Sequence, residues 1–307
     1  MEGRSVEIPQ IVTKVVTLGS VPVINSFLFA LGKGDLIANG LPANFVRDDR
    51  WKLQYTFAPQ IKDLPTMQGA DSAPLTEEIA KAEPDVVLTM LPAHAEQLGK
   101  VGIPTIVLRW QNDEDVKKVV SMLGDAFGVP DRAAAYVQTF DGIVGEVGAL
   151  VEKVPAASTV SALSLDPTGM GQPHAIAQWW IAKAGGRPVT EGNTVESLKF
   201  NAEQVVGWNP QVVFVNDLAS IPTALGNAKL APVAAITAKR VYAMPIGAHL
   251  WGNRTSEQPL SVAYAAHRMY PDQVSAEQLA SFTKRFYADA FHAELTDAQV
   301  QEILAGR

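Results

Sequence analysis

The stretch His249-Leu-Trp-Gly-Asn-Arg254 places an imidazole, an indole, a carboxamide and a guanidinium within six residues. An imidazole can ligate a metal or carry a proton. A guanidinium presents a fixed fork of donors to anionic oxygens. An indole adds a flat apolar face. This mixture suits an anionic, partly planar or metal-bearing ligand. His249, Trp251, Asn253 and Arg254 are its candidate contacts, and His249 is the candidate metal ligand. The competing reading is a surface loop in which Trp251 packs on its own lobe and Arg254 pairs with Glu257.

Other versatile residues follow apolar runs that read as strands. Ser20 follows residues 13–19, His94 follows 85–90, Arg109 and Trp110 close 104–110, and His174 follows 158–165. Ligands of open α/β sheets bind outside the carboxyl ends of the strands, so Ser20, His94, Arg109 and Trp110 join the candidate contacts. His94 and His174 read equally well as solvated residues at helix starts, and Arg109 as an ion-pair partner. Trp179 and Trp180 lie inside a helical pattern and read as core and rim. His267 and His292, in expected helices, read as structural or exposed.

Several chemistries have no support. The 307 residues include no cysteine, which removes disulfides, thiolate nucleophiles and cysteine-held metals. There is no G-x-S-x-G elbow, P-loop or H-E-x-x-H. "GKGDLIANG" (32–40) follows a helix, and "DPTGMGQ" lacks a third glycine, so neither is a dinucleotide fingerprint. The net charge of −7 and the lack of a basic run argue against nucleic acid. No run of 18 apolar residues is present. "MEGRSVEIPQ" has no apolar signal region, which reads either as a replaced leader or as a native cytosolic start. Hydrophobic residues at 47% and charged residues at 19% are enough for packed cores.

Strand and helix patterns alternate along the chain. Strands are expected at 13–19, 85–90, 104–110, 158–165, 211–216 and 240–245, with "IKDLPTM" as a further candidate. Helices are expected at 22–32, 76–82 with Thr76 as cap, 92–102, 113–128, 175–186, 259–271 and 275–292, and a short one over "NAEQVVGW". Residues 131–154 read as one long helix, capped by Asp131 and closed by Pro155. The expected organisation is an α/β lobe over 1–130, a connecting helix over 131–154 and a second α/β lobe over 155–307, each lobe with a mostly parallel sheet. "EEIAKAEPDVVLTM" (77–90) and "EQVVGWNPQVVFVN" (203–216) repeat one pattern: a glutamate, a helix, a proline seven residues on, then a buried strand.

On these residues the chain resembles the substrate-binding proteins of ABC importers for iron–siderophore, haem and cobalamin. "VVTLGSVPVINSFLFALGKGDLIANG" is similar to the family's opening strand, loop and helix. "AKAGGRPV" and "ITAKRVYAMP" are similar to its second-lobe pattern. The resemblance implies two Rossmann-like lobes joined by a long helix, with ligand bound in a cleft between them. It implies a binder, not an enzyme, with no resident cofactor and metal only as part of the ligand. Glu77 and Glu203 match the acidic residues that dock onto arginines of the membrane permease. The implied protein is a monomer, periplasmic or a cell-surface lipoprotein. The siderophore reading draws on Arg109, Trp110, Trp251 and Arg254. Haem, a corrinoid and a molybdate-type oxyanion are alternatives within the same fold. The rival from another class is a two-lobed metal-chelate enzyme.

Overall fold

The computed structural model describes residues 5–47 and 49–306. Met1–Arg4, where the reading of a replaced leader begins, lie outside the described residues, as does Arg307 at the end of the second expected lobe. The chain divides into two compact units. The first holds the residues up to Trp110, Glu114–Val137 and Asp289–Ala293. The second holds Gln111–Asp113, Gln138–Ala288 and the residues from Glu294 on. The helix Pro130–Val151 supplies residues to both.

The first unit is built on a parallel sheet of β1 (Val15–Leu18), β2 (Val86–Thr89) and β3 (Thr105–Val107), in that order. Val15 pairs with Val86 and Val87 with Thr105. Ile37 adds a parallel bridge to Val15 on the outer side. All residues of β1 and β2 are buried, which explains their unbroken apolar runs: a parallel sheet is covered on both faces. Val16, Leu18, Ile79, Val87 and Leu98 form one core. The late segment Asp289–Ala293 joins this unit through Phe291, whose ring meets Phe57 at 5.3 Å and Phe29 at 6.1 Å.

The second unit repeats the plan. It contains β4 (Ser161–Ser164), β5 (Gly171–Gln172), β6 (Arg187–Pro188), β7 (Leu198–Lys199), β8 (Val212–Val215) and β9 (Val241–Ala243). The main sheet has the order β6-β4-β8-β9, all parallel. β5 and β7 form a separate antiparallel ribbon. Leu163, Val205, Val213, Val215 and Leu230 belong to its core.

The sequence repeat is a structural repeat. The helices Thr76–Ala82 and Ala202–Trp208 are both followed by a left-handed residue, Glu83 (φ 48°, ψ 57°) and Asn209 (φ 45°, ψ 59°). A proline follows each, and then β2 or β8 begins. All of these landmarks lie 126 positions apart. A left-handed residue ends the helix and turns the chain, and the proline prevents the helix from resuming. Asn tolerates this conformation better than Glu. Glu83→Asn is therefore expected to stabilise the protein by about 1 kcal/mol, read as a raised urea midpoint.

Some expectations need correction. "IKDLPTM" is not a strand, and Pro59–Lys62 form a 3-10 turn. Gly40 packs there so tightly that a Cβ would lie 2.2 Å from the Leu64 carbonyl oxygen, so compact packing of irregular backbone replaces a ladder. Thr76 is the first helical residue, not the cap, because Leu75 occupies the cap position. The Thr76 hydroxyl instead accepts from Gln97 Nε2 at 2.8 Å. Helices Ser220–Leu225 and Asp297–Leu304 and the β5–β7 ribbon were not anticipated.

Candidate functional site

The loop after β9 is built around one carboxylate. Glu257 is fully buried at the start of the helix Gln258–Met269. It accepts the Ala248 N–H at 2.9 Å, the His249 N–H at 2.7 Å, the Trp251 indole N–H at 3.4 Å, and the Tyr287 hydroxyl. Burial pushes Glu257 up to about 7, while the Tyr287 hydroxyl and the backbone N–H groups of His249 and Ala248 pull it back. Burial, with Glu257 beside it, raises the Tyr287 phenol. The loop closes so tightly that a Cβ on Gly247 would lie 1.9 Å from Glu257 Oε1 and 2.0 Å from the Tyr287 oxygen. Glycine is thus required by close approach. The Ser261 hydroxyl donates to the Trp251 carbonyl at 2.6 Å and fixes the far side.

This arrangement overturns the Arg254–Glu257 pairing of the competing reading and bears out its packing of Trp251. Glu257 serves the backbone and does not pair with Arg254. Arg254 Nη2 lies 3.0 Å from Glu196 Oε1, with only 18% of the arginine side chain exposed. Trp251 is fully buried and acts as a wedge under the loop. His249 is 6% exposed. Burial, then charge on His174, holds His249 down to about 3, so its ring is neutral at any physiological pH. Asn253 Oδ1 is buried and accepts no hydrogen bond among the described residues.

Glu196 and His174 meet through the β5–β7 ribbon. Its register pairs Gly171 with Lys199 and Gln172 with Leu198. Two positions further, the same register sets His174 opposite Glu196. The intervening pair is in contact as well, since the Ser197 hydroxyl donates to the Pro173 carbonyl at 3.1 Å. His174 Nδ1 lies 2.6 Å from Glu196 Oε1. Burial lowers the His174 imidazole, Glu196 pulls it up, and Arg254 pushes it down. The second unit therefore joins His174, Glu196 and Arg254 and sets His249 near them. Of these, sequence reasoning missed Glu196 and left His174 undecided.

The remaining candidates belong to the first unit. Ser20 is partly buried between β1 and the helix Val21–Ala30, and its carbonyl accepts the Val23 and Ile24 N–H groups. Gln68 clamps the turn before it through both Gly19 backbone groups. Buried amides back this turn. Thr17 N–H donates to Asn39 and Thr17 Oγ1 to Asn25, each at 2.8 Å, and Asn25 donates to Gln54 at 2.9 Å. Arg109 is exposed after β3. Trp110 is 3% exposed, with its ring edge-on to Phe27 at 4.9 Å, so it packs in the core and offers no surface. His94 is also interior: Nδ1 bonds Thr89 Oγ1 at 2.8 Å, and the ring bonds the Ser72 backbone. Burial lowers its pKa. Glu77 and Glu203 are exposed at equivalent positions of their helices. Among the described residues no group of three His, Cys, Asp or Glu is placed to hold a metal ion.

Two parallel α/β units with their chemistry on loops beyond the strand ends define a two-lobed α/β ligand-binding protein. Comparison with known proteins narrows the class. The chain belongs to the periplasmic binding protein family, whose pattern it matches over residues 28–246. Members of this family act outside the cytoplasm, and no helix among the described residues is long and apolar enough to cross a membrane. A curated relative is the iron(3+)-hydroxamate-binding protein YxeB of Bacillus subtilis, 26% identical over 108 residues. That match spans 35% of this chain and about a third (32%) of the relative. A periplasmic solute binding protein from Veillonella parvula has a TM-score of 0.81 at 20% identity, covering 99% of this chain and 94% of that one. Haemophilus influenzae MolA bound to molybdate has a TM-score of 0.79 at 20% identity, covering 95% and 97%. Helicobacter pylori CeuE with Ni(II) has a TM-score of 0.76 at 18% identity, covering 96% and 95%. At these identities the solved structures establish the fold, and ligand identity rests on the site.

Proposed function

We propose that this protein is the substrate-binding component of an ABC importer and takes an iron chelate or a related metal-bearing anionic ligand. The observation that carries this reading is the joined cluster of Arg254, Glu196 and His174, mounted on the ends of the β5–β7 ribbon and the loop after β9. A guanidinium pre-oriented by a carboxylate suits the charged oxygens of a chelate. The hydroxamate-binding relative supports the ligand class. The output is binding and release, not bond chemistry, and the ligand brings its own metal. The protein would be periplasmic or a cell-surface lipoprotein and act as a monomer. Glu77 and Glu203 would meet the permease, one from each unit.

Titration of the ligand-free protein with a ferric hydroxamate, haem and molybdate separates the readings. Binding of the ferric chelate alone supports the proposal, and binding of molybdate alone replaces it with an oxyanion carrier. Arg254→Ala is expected to weaken the chelate tenfold to a hundredfold, the order of a charged hydrogen bond. Unchanged calorimetric affinity would remove Arg254 from the site.

A further inference from the structure

We infer that His94 is a positioning residue for the first unit's ligand end: it latches the hairpin of residues 68–74 over the Gly19–Ser20 turn, and protonation of its ring opens the latch. This rests on the reading of the Gly19–Ser20 turn as part of the ligand site.

Leu18 pairs with Thr89, so the carboxyl ends of β1 and β2 lie side by side. The Gly19–Ser20 turn leaves the first, and the helix Pro92–Gly99 follows the second. The hairpin is tied to both exits. Its arms meet at a bridge between Gln68 and Pro74, and the Gly69 N–H donates to the Ala73 carbonyl at 2.9 Å. At β1, Gln68 accepts the Gly19 N–H at 2.5 Å and donates to the Gly19 carbonyl at 3.1 Å. At β2, His94 Nδ1 meets Thr89 Oγ1 at 2.8 Å, which leaves Nε2 for the Ser72 backbone. Gly19 has φ 87°, and no atom lies within 4 Å of the place a Cβ would take, so the turn borders open space. Ligands of open α/β sheets bind at such strand ends. His94 is buried behind the turn and acts on it through Ser72 and Gln68.

The latch holds only with a neutral ring. Thr89 Oγ1 accepts the Leu91 N–H at 3.1 Å, so its own hydrogen goes to His94 Nδ1. Nδ1 is then an acceptor, and Nε2–H donates to the Ser72 carbonyl. A second proton makes Nδ1 a donor and forces the hydroxyl hydrogen of Thr89, a fully buried residue, away from it. No charged neighbour offsets the added charge. The charged groups of the surrounding elements are Asp71 on the hairpin, Glu77, Glu78 and Lys81 on the helix Thr76–Ala82, Glu96 and Lys100 along the ring's own helix, and Arg109 after β3. All are exposed, and none shifts the imidazole. Burial lowers it, and the Ser72 backbone pulls the other way. A lowered value means that the closed hairpin is favoured fully above the ordinary 6.5 and loses that support as pH falls through the folded value. Ser72 is held at φ 67°, a conformation serine rarely adopts, so the hairpin relaxes when the ring lets go.

Amide exchange on the ligand-free protein reads the latch, with protection corrected for the pH dependence of intrinsic exchange. An imidazole of ordinary value is almost fully protonated at pH 5, so opening is expected up to about thirtyfold more often there than at pH 8. The Gly69, Ser72, Leu75 and Gly19 amides should lose about tenfold or more in protection, while Val87 in β2 keeps its own. His94→Gln presents Oε1 to Thr89 and Nε2 to Ser72, as the neutral ring does, and does not titrate. It is expected to keep its protection at both pH values. Gln68→Met removes only the clamp, so Gly19 should exchange faster at both pH values while Ser72 keeps its acid response. Unchanged wild-type protection, an equal acid loss in His94→Gln, or a Gly19 amide that ignores the hairpin would each overturn the inference. Calorimetry with ferric desferrioxamine carries the test to binding. Between pH 8 and pH 5 the wild type is expected to lose at least about fivefold more affinity than His94→Gln. An equal loss in both ends the positioning role and leaves the proposed function standing. If the wild type binds no ferric hydroxamate, haem or molybdate at pH 8, the proposed function falls and the positioning role with it, whatever the exchange shows.

Discussion

Glu257→Gln is expected to lower stability by about 2–5 kcal/mol at pH 5, and by clearly less at pH 8. The carboxylate accepts on both oxygens. Oε1 faces the Ala248 N–H, the Trp251 indole and the Tyr287 hydroxyl, and Oε2 faces the His249 N–H and the Thr255 hydroxyl. An amide keeps one acceptor and turns an NH2 group toward the other donors. Each buried donor left unsatisfied costs roughly 1–3 kcal/mol. The pH dependence follows from the proton balance. Burial raises the folded carboxyl from 4.5 to about 7. Between these values the native state holds more protons than the unfolded chain, so wild-type stability falls as pH rises through that window. The glutamine variant has no such group, and the difference between the two narrows by up to about 3 kcal/mol. Urea unfolding of ligand-free protein at pH 5 and pH 8 measures it. A gap that widens toward pH 8 would mean that Glu257 is ionised throughout, held by its donors and the helix N-terminus. In either case the variant is expected to loosen the backbone that carries His249 and Trp251.

The main strands were legible because β1, β2, β4 and β8 are buried on both faces and need unbroken apolar runs. The repeat was legible because its proline and aliphatic positions are dictated by a local turn that both units share. The candidate loop was picked out from residue types alone, since few stretches mix imidazole, indole and guanidinium. What composition could not supply was direction. Trp110 and Trp251 look alike as aromatic residues near strand ends, yet both point into cores. Glu257 follows Arg254 by three residues and reads as its ion-pair partner. The buried N–H groups of a tight loop claim it instead, because unpaired they would cost more than an exposed ion pair returns. Glu196 left no signal. Its ribbon has two residues on each strand, too few for a period of two to appear, and its register with His174 exists only once the chain is folded.

Reversing the charge at both Glu77 and Glu203 is expected to reduce uptake at least tenfold while leaving ligand affinity within twofold. The two residues hold the second position of seven-residue helices that match in length, in left-handed closing residue and in the strand that follows. Both are exposed, and neither takes part in an ion pair among the described residues. Glu78, beside the first, pairs with Lys81 at 2.9 Å, so a local partner was within reach of this helix and Glu77 does not use it. A pair of solvated glutamates would show no reason for this equivalence, whereas a partner with two related subunits would contact one from each unit. Lysine at these positions opposes the helix dipole, a weak and solvent-screened effect, so the variant stays folded. Uptake of a radiolabelled ferric chelate by cells carrying the cognate permease reads the docking, and calorimetry on the same variant reads the binding. Single reversals should each leave intermediate transport if the two contacts act together. Full uptake by the double variant would end the docking role. Lost uptake with equally lost affinity would place the glutamates in ligand binding. Only transport lost at constant affinity assigns them to the membrane partner, because calorimetry on the isolated protein contains no permease and so reads ligand binding without the docking contact.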